Sequence, residues 1–295
     1  MKKLIFIGVL WLTLALLGTF SAGAAILANA PDYQWWYGAS PTSAGMMMGY
    51  YDINGYAGSS YNNLVPGGTA ELSTYGNPGA LVNNIIASAG HIADFYVGPY
   101  GASGDDRIPP PPFHSFNSLA DFMGTSQDSV GNTNGSTTFY YWTNGAKFTA
   151  QDAFNAGVWN SDGMYGMLEY LQYAGYGATQ IYTELIQEGT LPFGFTFADY
   201  MAEIDAGRPV MIQVEGHSMF GYGYGPNNTV YLHDTWSSGQ KQMTWGGSYS
   251  GMDQWGVVVM ELTGGTPATV PEPATMLLLG SGLLGLWGFR KKFKK

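Results

Sequence analysis

Two apolar runs, one at each end of the chain and each flanked by lysine, confine the foldable sequence to what lies between them. The first follows Lys2-Lys3 and extends from Leu4 to about Leu17, ahead of Ser21-Ala22-Gly23-Ala24-Ala25. Basic, then apolar, then small is the order of a secretory signal peptide. It assigns residues 1–25 to a leader cut by signal peptidase near Ala24 or Ala25; a cut after Ala28-Asn29-Ala30 would instead leave Pro31 first. About 14 apolar residues is short for a retained membrane span. The second run, Ala274 to Phe289, follows Val270-Pro271-Glu272-Pro273 and precedes a basic tail, Arg290 to Lys295. Its roughly 16 residues are long enough to insert transiently, basic end toward the cytoplasm. The domain proper is therefore expected over 31–265.

The order of the tail over 270–295, Pro-Glu-Pro then apolar then basic, resembles the PEP-CTERM sorting signal of certain Gram-negative bacteria. The resemblance implies recognition at Pro-Glu-Pro, removal of the tail by an exosortase, and delivery to the cell surface, outer envelope or extracellular polymer matrix. Before that processing the apolar run would serve as a C-terminal transmembrane segment.

Loss of both ends changes the charge. Of 11 Lys+Arg only Arg107, Lys147, Arg208 and Lys241 remain, against all but Glu272 of the 21 acids. The mature chain thus carries a formal charge of about −16, and with no cluster of cations a nucleic-acid partner is not expected. There is no cysteine, so an exported chain must hold itself together by burial, without disulfides or thiolate metal sites. Asp52-Ile53-Asn54-Gly55 and Asp105-Asp106 lack the ligand spacing of a calcium loop, and His91 with Asp94 offers one helical turn and no third ligand. No metal or cofactor is expected.

Between the ends, the patterning predicts helices in the first half and a sheet in the second. Ser40-Pro41 marks a helix start and carries it to about Tyr51; Asn77-Pro78-Gly79 opens another over Ala80 to Ala89, and Phe116 to Met123 forms a short one. Residues 55 to 160 are otherwise Gly-, Tyr- and Pro-rich and irregular, with an extended tetraproline at Pro109–Pro112. Asp162 caps a helix whose Met164, Met167, Leu168 and Leu171 recur at three and four residues, stopped by Gly175. Strands are expected at Ala178–Leu185, Pro209–Glu215, Thr229–His233 and Val257–Leu262, with a helix at Phe197–Ala206. The last strand is so apolar and β-branched that it belongs in the middle of a sheet. The class is α+β, a helical first lobe and an antiparallel sheet lobe.

His217 stands at the end of one expected strand, just after Gly216, and Asp234 ends the next. Neighbouring antiparallel strands can bring such a pair together, and an imidazole oriented by an acid is half of a nucleophilic relay. Far upstream, Gln34-Trp35-Trp36-Tyr37-Gly38-Ala39-Ser40-Pro41-Thr42 prepares a helix N-terminus behind aromatic residues. Gly38-Ala39-Ser40-Pro41-Thr42-Ser43-Ala44 resembles the nucleophile helix of papain-like cysteine peptidases of the C39-like branch, except that alanine stands where that family has cysteine. The segments around Gly207-Arg208-Pro209, Gly216-His217-Ser218 and His233-Asp234-Thr235-Trp236 resemble the rest of the catalytic half, in order. The likeness covers 34–52 and 160–262 and leaves about 55–160 as an insertion.

The resemblance implies a papain-like cysteine-peptidase fold with His217 as base, Asp234 as its orienter, Gln34 as oxyanion donor, and Ala39 at the nucleophile position. A methyl group cannot attack a carbonyl. Ser40, the next hydroxyl, lies about 100° further round the helix and is expected to spend its oxygen on capping. The expected protein is an exported one whose cleft binds a peptide or protein ligand without cutting it. Two alternatives stand beside it: an active cysteine peptidase in which position 39 has been changed, and a structural matrix protein that uses the fold as a scaffold.

Overall fold

The computed structural model describes residues 23–98 and 115–263. The expected leader up to residue 22, Asp105-Asp106, the tetraproline and the sorting tail with its apolar run lie outside the described residues. In chain order the elements are β1 (Ala25–Ile26), α1 (Ala39–Asn54), α2 (Leu81–Ile86), α3 (Ala89–Ala93), α4 (Leu119–Phe122), β2 (Phe148–Thr149), α5 (Ala150–Ala156) and α6 (Gly163–Tyr173). Then follow β3 (Ala178–Leu185), α7 (Phe197–Asp205), β4 (Val210–Val214), β5 (His217–Gly225), β6 (Thr229–His233), β7 (Lys241–Thr244), β8 (Ser248–Tyr249) and β9 (Met252–Leu262). Helices dominate the first half and an antiparallel sheet the second, an α+β arrangement. No helix among the described residues is long and apolar enough to cross a membrane.

The sheet runs β2-β3-β9-β4-β5-β6-β7, with β1 added to β5 and β8 to β9. β9 lies between β3 and β4, as its composition requires, because both of its faces are covered. Val258 and Met260 join the core shared with α1, α2, α4 and α6. Val257 and Val259 point the other way, into the core under α7. That alternation is the two-residue period of a strand.

α1 explains the depth of the first core. Met46, Met47 and Met48 are all fully buried, which is possible only for a helix enclosed on every side. Asp52, near its end, accepts from the amides of Val65 and Ala70 at 3.3 and 2.8 Å and so ties the following loop to the helix. The stretch expected as one helix over Ala80 to Ala89 is two, because the chain extends at Ala87 and restarts with Ser88 accepting from the His91 amide. Asp162 caps α6 by accepting from Tyr165 N–H at 2.8 Å.

Five strands, β1, β2, β5, β7 and β8, escape the sequence patterning. β5 reads His-Ser-Met-Phe-Gly-Tyr-Gly-Tyr-Gly, and its glycines interrupt any apolar run. Gly223 answers a packing demand, since a Cβ there would lie 2.7 Å from the Ala25 carbonyl oxygen of β1. β1 itself falls at the edge of the expected leader, ahead of residue 31. Leu27 continues the contact, its amide bonding to the Tyr222 carbonyl at 2.9 Å while its side chain packs on both cores.

Two outcomes follow. A chain beginning at Pro31 loses β1 and the Leu27 contact and should be less stable than one beginning at Ala25 by about 1–2 kcal/mol, read from the urea midpoint; equal midpoints would show that β1 adds nothing. On β3, Glu184 is 7 % exposed, and burial, opposed by Lys147 and reinforced by Asp199, pushes its carboxyl up to about 7. The folded protein therefore holds this proton where the unfolded chain has released it, so stability falls as pH rises from about 4.5 to about 7. Glu184→Gln should stabilise the protein at pH 8 and do little near pH 4; a gain independent of pH would refute this.

Candidate functional site

The helix predicted to start at Ser40-Pro41 starts one residue earlier. Gly38, at φ 157°, precedes Ala39, and no side chain caps the first turn. Gly38 is required there: a Cβ would press on Pro41 Cγ at 2.8 Å and Thr125 Cγ2 at 2.9 Å. Thr42 closes the turn, its hydroxyl donating to the Gly38 carbonyl at 2.6 Å. Because the cap lies at Gly38, Ser40 is inside the helix and does not cap it.

Ser40 instead ties α1 to the sheet. Its Oγ lies 2.8 Å from Ser218 Oγ, and Ser218 Oγ donates to Gln213 Oε1 at 2.7 Å. Ser218 has a single hydroxyl hydrogen, so Ser40 must be the donor in the first bond. Ser43 Oγ adds a bond to the Ser218 carbonyl at 2.9 Å. With its hydrogen given to Ser218 and no bond to an imidazole, Ser40 lacks the base that an alcohol nucleophile needs.

His217 opens β5, next to Ser218. It approaches Asp234 because β5 and β6 pair with Phe220 opposite His233. The contact differs from the expected one. His217 Nε2 lies 2.7 Å from the Asp234 main-chain carbonyl, while the Asp234 carboxylate is turned away into its own loop. There Oδ1 accepts from the amides of Trp236 and Ser237, each at 3.0 Å, and Oδ2 from the Tyr249 hydroxyl at 2.7 Å. A carbonyl can only accept, so Nε2 carries the hydrogen and Nδ1 the lone pair of the neutral ring. Asp234 thus orients His217 through its backbone, while its carboxylate shapes the turn that presents that carbonyl.

The ring is sandwiched as well as tied. Trp236 stacks on it with centroids 4.1 Å apart and planes 27° from parallel. Burial lowers the His217 pKa from the ordinary imidazole value, and the Asp234 carbonyl and carboxylate oppose this without overcoming it. The loop is held under strain: Thr235 sits at φ 66°, a left-handed conformation unusual for a β-branched residue. Its carbonyl accepts from Trp35 N–H at 2.7 Å, joining the approach to α1 to the His217 loop.

Ala39 and His217 line one cavity of about 340 Å³, together with Ser40, Gln213, Val214, Gly216, Ser218, Trp255 and the segment 135–139. Part of the expected insertion therefore forms a wall of this cleft. Gln34 does not line it. Its side chain is exposed, and with Trp35, Trp36, Thr74 and Asn83 it borders a separate cavity of about 350 Å³. The amide that does border the Ala39–His217 cavity is Gln213, whose Nε2 has, among the described residues, only the Met211 sulfur as partner, at 3.3 Å. Nothing local marks Gln213 in the sequence; only the alternation of β4, which turns it toward α1, could have singled it out. His91 takes a different place, its Nδ1 3.0 Å from Asp121 Oδ1 in the core, apart from the Asp94 with which the sequence grouped it.

Residues 113–256 match the Peptidase_C39 like family, and 269–292 match the PEP-CTERM protein-sorting motif. No curated protein and no solved structure matches the chain. Residues 113–256 are thus similar to C39-like peptidases, and the sorting motif that follows them implies export with processing by an exosortase. The family match spans the 135–139 wall, Gln213, His217 and Asp234, and begins downstream of Gln34 and Ala39.

If the Trp236 indole is what keeps water from His217, Trp236→Ala should raise the ring's pKa toward the ordinary value, as followed by NMR titration of the imidazole. A pKa that stays depressed would assign the effect to the cavity walls.

Proposed function

We propose that this domain is a papain-like, C39-like fold without its nucleophile, which binds an extended peptide in the Ala39–His217 cleft and does not cleave it. The chain presents this cleft at the cell surface or in the surrounding polymer matrix. The observation that carries the reading is the shared cavity: a free helix N-terminus, a methyl group at its first residue, and an imidazole whose Nε2–H is already tied down. A thiol at position 39 would meet the positive end of the α1 dipole and a basic nitrogen, the two influences that favour a thiolate. An alanine there leaves the base with nothing to activate.

The chemistry of an active relative would use these groups in sequence. His217 would take the thiol proton, the thiolate would attack the peptide carbonyl, and the proton would pass to the leaving amine. An amide donor would stabilise the tetrahedral oxyanion. Gln34 is the donor that the resemblance implies, and Gln213 is the one that borders the cavity. In this chain, with the first step impossible, what remains is recognition.

Ala39→Cys is the direct test. The restored thiol should react with iodoacetamide at pH 6 about tenfold or more faster than a free thiol and should bring peptide hydrolysis that the unaltered protein lacks. In that background, loss of the true oxyanion donor should lower turnover about 10²-fold, so Gln34→Ala and Gln213→Ala can be compared. A thiol at residue 39 with ordinary reactivity and no turnover would overturn the assignment of the cleft.

A further inference from the structure

We infer that the Ala39–His217 cavity is a carboxylate site, and that the group it takes is the C-terminal carboxylate of a peptide. The inference rests on the peptide-binding reading above and goes further by naming the group recognised.

The first observation is the charge of the lining. The mature domain is strongly acidic, yet among the described residues no carboxylate lines this cavity, and His217 is the one ionisable residue that does. The second is a surplus of donors. α1 has 16 residues and no side-chain cap; Pro41 has no N–H and the Thr42 amide is bonded to the Gly38 carbonyl, so the uncapped amides of its first turn, with their partial positive charge, are those of Ala39 and Ser40. Gln213, 3 % exposed, has an amide nitrogen whose one partner among the described residues is a thioether, a weak acceptor. The third is His217, 7 % exposed, whose Nδ1 has no hydrogen-bond partner among the described residues. A buried base, a buried amide and a helix N-terminus around an empty volume, with no acid among them, suit an anion.

A carboxylate facing Nδ1 needs a proton between them. On binding, the imidazole takes one proton from solvent, Nδ1–H donates to the carboxylate, and Nε2–H stays on the Asp234 carbonyl; no bond to carbon forms or breaks. Among the described residues, the other ionisable groups facing the ring stand behind it: the Asp234 carboxylate, and the Tyr249 hydroxyl that donates to it. Serines of α1 and β5, Trp255 of β9 and the 135–139 wall bring no charge. Burial holds the free ring neutral near pH 7, and a bound carboxylate must raise its pKa. Affinity should therefore be greatest below the pKa of the free ring and decline as pH rises toward that of the complex. A peptide ending in an amide recruits no proton and shows no such slope.

The test is calorimetric titration of the purified protein with N-acetyl-Gly-Tyr-Ala-Gly as free acid, the same peptide as C-terminal amide, and sodium acetate, at pH 5.5 and pH 8. The free acid should bind about tenfold or more tighter than the amide at pH 5.5, with the preference shrinking at pH 8 and acetate far weaker than the peptide. NMR of the unaltered protein should show the His217 pKa rising with the acid and not with the amide, and His217→Gln should erase the preference. Equal binding of acid and amide at both pH values would overturn this inference while leaving peptide binding intact. Acetate as tight as the free acid would overturn the assignment to a peptide end. Failure of both peptides to bind would overturn the peptide-binding reading and this inference together.

Discussion

The position of every group in the cleft depends on how the N-terminus of α1 is fastened to β5. Ser40 and Ser43 both reach Ser218, one through its hydroxyl and one through its carbonyl. Ser218 passes its own hydrogen to Gln213 on β4. Ala39 precedes the first of these residues and His217 precedes Ser218, so the two neighbours of the fastening face each other across the cavity. Buried hydroxyl bonds of this kind contribute modestly to stability, about 1 kcal/mol each. Their larger effect is geometric, since leaving any one unmade strands a buried polar group.

The remainder of the fold holds that fastening rigid. α1 is enclosed on all sides, and β9 is covered on both faces, so helix and sheet cannot slide without opening a core. The chain has no cysteine and achieves this by burial alone, with tyrosines and methionines filling the first core. Polar ends of buried tyrosines are satisfied by main chain: Tyr170 donates to the Leu64 carbonyl at 2.6 Å and Tyr61 to the Thr263 carbonyl at 2.7 Å. Burial of this sort suits a protein that is exported and must fold without oxidative cross-links.

Local patterning made much of the scaffold legible. The β3 and β6 spans are those their apolar, β-branched residues predict, and Asp162 caps α6 as a carboxylate before a helical repeat should. β9 occupies the centre of the sheet for the reason its composition gives. Where the patterning failed, long-range packing had taken over. β5 is a strand rich in glycine because β1 lies against it, and α1 starts at Ala39 because Gly38 adopts a backbone conformation that the residues around it exploit.

The site divides along the same line. Sequence alone determined that a helix N-terminus, a histidine and an aspartate exist at spacings that strands can bring together, that the residue before Ser40-Pro41 is an alanine, and that the C-terminal end carries a sorting motif. These are properties of residue identity, and no fold can supply a thiol to a chain without cysteine. Tertiary structure decided which atoms meet. His217 is oriented by the Asp234 carbonyl, an atom every residue possesses and no sequence pattern can single out. Gln213 rather than Gln34 borders the cavity, because the pleat of β4 turns one amide inward while the chain before α1 leaves the other in solvent. The depressed pKa of His217 belongs to this second kind, since burial is a property of the packed chain.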